Sequence, residues 1–112
     1  MNLEITPEVL ATQFEIGKTE AILKQIETSI NNTNDFHSFS KHIISLNDKL
    51  KHMNGYIALS NQEPCFKIKC EETESEDIKK EFNETVINWS KKYNVELKQV
   101  ENKDVYYIIG KI

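Results

Sequence analysis

Phe36, Phe39, Ile43, Leu46, Leu50 and Met53 recur at intervals of 3, 4, 3, 4 and 3 residues. That spacing keeps all six on one stripe of an α-helix, an a/d seam about two and a half heptads long. A strand cannot present such a set on one face, because its faces alternate with a period of two. The stretch therefore predicts a helix with one strongly apolar side that must find cover. Gly55, just past Met53, supplies a C-terminal stop.

Beyond Gly55 the apolar period shortens to two. Tyr56 to Leu59 reads as a short strand, Ser60 to Pro64 as a turn, and Cys65 to Cys70 as a second strand. In that strand Phe66, Ile68 and Cys70 share one face, and Lys67 and Lys69 share the other. A helix follows, with Thr73 and Glu76 spaced as a capping box and Glu74, Glu76 and Asp77 at its positive end. Ile78, Phe82, Val86, Trp89 and Tyr93 form its buried stripe, and Asn94 suits the left-handed stop. Val95 to Val100 and Val105 to Ile112 read as two more strands around the turn Glu101–Asp104. The last is apolar on both faces, with Tyr106 and Ile108 against Val105, Tyr107 and Ile109. Such a strand is expected to be central or covered twice.

Upstream, Thr6, Pro7 and Glu8 make a helix start, and the helix is expected to run from Pro7 to Ile30. Its apolar residues fall on two sides. Leu10, Phe14, Gly17 and Ala21 share one stripe, and Ile16, Leu23, Ile26 and Ile30 lie roughly opposite. Either the helix kinks near Gly17 or both sides are covered along its length. Asn31–Asn34 is a loop of turn formers, short enough to return the next helix antiparallel, with Asn34 or Asp35 as its cap.

The order is α-α-β-β-α-β-β. With 112 residues, 38% of them hydrophobic, the chain suits one α+β domain over 1–112. The expected fold is an N-terminal antiparallel helical hairpin over 1–54 joined to a β-β-α-β-β unit over 55–112. The unit would carry a four-stranded mixed sheet with one covering helix. The Cys65 strand, the helix after it and the Val95 strand fit a right-handed crossover between parallel strands. The hairpin would cover the other face of the sheet or one end.

The 14 basic residues are all Lys, against 18 acids, for a net charge of −4. Without Arg there is no bidentate fork for guanine or phosphate, so no nucleic-acid partner is expected. Abundant Lys, Asn and Ile also match the codon usage of an AT-rich genome. No apolar run is long enough for a membrane helix, and the start of the chain does not resemble a signal peptide, so the expected location is cytoplasmic. In that compartment both Cys are expected to be reduced thiols.

Few motifs carry chemistry. Gly17-Lys18-Thr19 resembles the tail of a phosphate-binding loop, but Thr12 stands where its first Gly belongs and Glu15 would repel phosphate. Cys65 and Cys70, five apart on one strand, fall on opposite faces about 16 Å apart, too far for a disulfide or a shared metal. Cys70 fits the core. Cys65, after Pro64, is the one candidate reactive thiol, although Glu63 raises its pKa. His37, His42 and His52 are not at ligating intervals, while Asp48 and His52 are spaced for a hydrogen-bonded pair. No metal or cofactor is expected. The run Glu71-Glu72, Glu74, Glu76-Asp77 is a solvated helix start, or a docking surface for a basic partner.

From Phe66 to Ile112 the strand-helix-strand-strand layout resembles the later part of the small sulfur-carrier proteins of the TusA type. Their Cys-Pro-x-Pro motif has only Glu63-Pro64-Cys65-Phe66 as a counterpart, in reversed order and at another place, so no functional residue carries over.

The expectation for function is a non-catalytic interaction or regulatory module. It would self-associate as a dimer through helix residues Leu10, Phe14, Leu23, Ile26 and Ile30, and a separate protein partner is also open. Two alternatives remain at this level. One is a small thiol enzyme or carrier using Cys65. The other is a ligand site lined by Phe36, Phe39, Tyr56, Trp89, Tyr106 and Tyr107.

Overall fold

Thr6 opens the first helix, its hydroxyl accepting from the Val9 N–H, with Pro7 in the first turn. The structure, a computed structural model, describes residues 5–60, 62–71, 75–101 and 103–112. The expected helix from Pro7 to Ile30 is two helices, α1 (Pro7–Gln13) and α2 (Glu20–Asn32). The break comes two residues before Gly17. Glu15 takes a left-handed conformation at φ 56°, and the Glu15 and Ile16 N–H groups donate back to Thr12 and Ala11. This is a Schellman stop with a non-glycine residue in the left-handed position. Thr19 then caps α2 by accepting from the Ile22 N–H, which is the use the chain makes of Gly17-Lys18-Thr19.

The seam predicted from Phe36 to Met53 forms α3 (Phe36–Leu50) and a following 3-10 turn (Lys51–Met53), and all six of its residues are buried. Asp35 holds the N-cap position of α3 without a side-chain bond. The α2 backbone packs against α1 and β1 (Gly55–Leu59), whereas α3 packs against β1, β4 (Val105–Lys111) and α4 (Glu76–Tyr93). The expected two-helix hairpin is thus opened out over the sheet. Its connecting turn is held there by Asn34, which accepts from Lys111 N–H and donates its own N–H to the Ile109 carbonyl. Gly110 passes so close that a Cβ there would lie 2.4 Å from the Asn34 nitrogen.

The remaining strands are β2 (Phe66–Cys70) and β3 (Val95–Gln99), and α4 is capped by Ser75, whose hydroxyl accepts from Ile78 N–H. The capping residue expected at Thr73, like Glu72 and Glu74 of the acidic run, lies outside the described residues. The sheet order is β1-β2-β4-β3, and each neighbouring pair is antiparallel. The sheet is therefore antiparallel rather than mixed. β2 and β3 do run the same way, as the crossover through α4 requires, but β4 turns back from β3 and inserts between them.

One face of the sheet presents Ile57, Phe66, Ile68, Cys70, Tyr106 and Ile108, which join the buried residues of all four helices in a single core. The helices lie together on that face. The sequence expectation had placed the hairpin on the opposite face or at an end. At the β1 edge, buried Asn47 accepts from the Ile57 N–H (2.9 Å) and donates to the Gln13 carbonyl (3.3 Å). It satisfies an edge-strand donor and ties α1 to α3.

Candidate functional site

β4 is the strand whose apolar residues exceed what the core takes up. Tyr106 and Ile108 are buried, while Val105 and Tyr107 are half-buried and Ile109 is 38% exposed on the face that bears no helix. The strand is central, as its two apolar faces predict, but among the described residues helices cover only one of its faces. Around this stripe the pairing places lysines. Lys67 of β2 and Lys98 of β3 lie directly opposite Tyr107, one on each side. In the next row Lys69 sits between Val105 and Tyr56. Directly opposed side chains have Cβ atoms about 5 Å apart, close enough for a lysine stem to rest on its apolar neighbour with the ammonium toward water. Glu96, exposed on β3 beside a bulge, is the acid of these rows.

At one end of the stripe, a hollow of about 250 Å³ is lined by Cys65, Pro64, Glu63, Lys98, Tyr107 and Ile109 among others. Cys65, the candidate reactive thiol, is buried there. Burial pushes its thiol pKa up, and Glu63 pushes it further. At neutral pH this thiol stays protonated and is a poor nucleophile. Cys70 lies on the core face, its Sγ 3.7 Å from the Met53 carbonyl, and burial, Asp104 and Glu71 raise its pKa against a lowering by Lys79. Both cysteines are free thiols on opposite faces.

The five residues expected to mediate self-association are otherwise engaged. Leu10, Phe14 and Ile26 are buried within one chain, and Leu23 and Ile30 pack against the same core half-buried. The break at Glu15 turns much of both apolar stripes toward the core, leaving Ala21 exposed and Leu23 and Ile30 half-buried. The six aromatics do not share a pocket. Phe36, Phe39 and Tyr106 belong to the core, Trp89 lies between α3 and α4, and Tyr56 and Tyr107 stand on the open face.

His42 stacks on Tyr93 at 3.8 Å, and its carbonyl accepts from the Trp89 indole N–H. Asp48 pairs with Lys51 rather than with His52, at 3.7 Å. Among the described residues no three of His, Cys, Asp or Glu converge as metal ligands, and no helix is long and apolar enough to cross a membrane.

One polar cluster has no counterpart in the sequence reading. The Tyr106 hydroxyl donates to Asn83 Oδ1, and Asn83 Nδ2 donates to Asp104 and to the Lys79 carbonyl. Its sequence signal is Tyr106 itself, a core-facing residue whose hydroxyl needs a polar partner on α4.

Fold and surface together define a two-layer α+β protein with helices on one side of the sheet and a lysine-flanked apolar stripe on the other. Compared with known protein families, curated proteins and solved structures, the chain matches none.

Proposed function

We propose that the protein is a non-catalytic interaction module that binds a partner through the open face of its sheet. One observation carries the proposal: central strand β4 is apolar on both faces, and the helices cover only one. Val105, Tyr107 and Ile109 form a continuous stripe that gains from being covered, and contiguous exposed apolar surface rimmed by polar residues marks interaction sites. Burial and Glu63 raise the Cys65 pKa, which weighs against the thiol-based alternative.

Site-specific photo-crosslinking in the native cell tests the proposal. A photoreactive residue at position 107 is expected to give one discrete adduct, while the same residue at Ile87, an exposed apolar site on α4, gives none. The purified partner should then lose binding to Tyr107→Ser with the fold intact. No adduct at 107, or equal adducts at both positions, counts against the open face as the binding surface.

A further inference from the structure

Resting on the reading of the open face as a binding surface, we infer that its occupant is an acidic protein segment, with apolar side chains on the β4 stripe and carboxylates over the flanking lysines. Charge is the first argument. The chain as a whole carries −4, yet this face presents Lys67, Lys69 and Lys98 against Glu96 on β3 and Glu63 at the end of the stripe. The sign of the surface is reversed locally, which favours an anionic partner in both encounter and register.

Geometry is the second argument. Along β4 successive outward residues stand about 7 Å apart, the spacing of alternate side chains in any extended segment. A segment seated on Val105, Tyr107 and Ile109 would bring its neighbouring groups over Lys67 and Lys98, which flank Tyr107 in one row. Ammonium groups at the rim of an apolar stripe are partly shielded from water once it is covered. Ion pairs formed there count for more than on an open surface.

Two other occupants fit less well. A second copy would bring two lysine-rich faces together, a like-charge approach that disfavours pairing. A single nucleic-acid strand needs successive aromatic faces for its bases. Here Tyr56 and Tyr107 are separated by a full strand, with the aliphatic Val105 next to Tyr107 along β4, and the chain has no Arg.

The test uses the intact chain and a fluorescein-labelled peptide alternating Glu with Val, beside the same peptide with Gln for Glu. The other probes are an oligothymidine strand and vesicles containing phosphatidylserine. The acidic peptide is expected to bind, to shift the amide resonances of Lys67, Lys98, Val105 and Tyr107, and to weaken as salt rises. Lys67→Glu with Lys98→Glu should weaken it about tenfold or more while leaving the thermal midpoint near that of the parent. Equal binding of the Gln peptide on the same residues overturns the acidic preference but leaves the open-face reading standing. Tighter binding of oligothymidine or vesicles through those residues also overturns the inference, in favour of that class. Absence of binding by the acidic peptide at millimolar concentration overturns it too. The open-face reading itself is tested separately, by the crosslinking experiment.

Discussion

Asn47 shows how much one polar side chain can settle in a core this small. It sits in the middle of an apolar helix seam, yet it is buried and makes two hydrogen bonds to backbone groups of other elements. Replacing it with Leu keeps the number and branching of the side-chain atoms and removes both hydrogen bonds. The Ile57 N–H and the Gln13 carbonyl would then be stranded, so Asn47→Leu is expected to cost about 1–3 kcal/mol in urea denaturation. A variant as stable as the parent would mean that water takes over both bonds. Nothing local to Asn47 announces this role, because its partners lie 10 and 34 residues away. Glu15 illustrates the same limit. Gly17 is the visible helix breaker, but the left-handed residue is Glu15, which a helix-forming side chain disguises.

At the scale of elements, periodicity is a sound guide, whereas the order of the strands in the sheet is not legible from it. The seam of α3, the stripe of α4 and the alternation of β2 each follow from short-range spacing, and the structure shows each of them. Insertion of β4 between β2 and β3 depends on contacts distant in sequence, which spacing does not encode. Once inserted, β4 is locked to α4 by the Tyr106, Asn83 and Asp104 bonds.

That lock has a pH signature. Burial, with Asp104 second, raises the Tyr106 pKa, and burial also raises both thiols. These groups are neutral when protonated, so the folded chain holds their protons more tightly than the unfolded chain does. Their stabilising effect is complete at neutral pH and is lost as pH rises through the folded values. The urea midpoint is therefore expected to be flat near pH 7 and to fall above about pH 9. Tyr106→Phe should be less stable at pH 7 by about 1 kcal/mol and should lose less on going alkaline. A parent midpoint that rises between those conditions would contradict the assignment.

At the scale of the whole molecule, the one-sided core is both the main structural result and the basis of the functional proposal. The alternation of β4 announced that both its faces are apolar. It did not say that all four helices would gather on one of them. That outcome follows from the break at Glu15, which turns α1 and α2 inward, and from Asn34, which fixes the α2–α3 turn beside Gly110.

The asymmetry can be measured on adjacent residues of one strand. Ile108 is fully buried, and Ile108→Ala should cost about 2–5 kcal/mol through lost contacts and the cavity left behind. Ile109, next in the chain, is 38% exposed, and none of the described helices lies above it. Ile109→Ser should change the stability of the isolated chain by about 0.5 kcal/mol or less, as surface substitutions do. Tyr107→Ser should cost somewhat more, because Tyr107 is already partly buried within the chain. The same outward variants should be the ones that abolish partner binding. If Ile109→Ser instead destabilised the isolated chain as much as Ile108→Ala, both faces of β4 would be covered within the chain. The apolar stripe would then belong to the core, and it would have no part in binding.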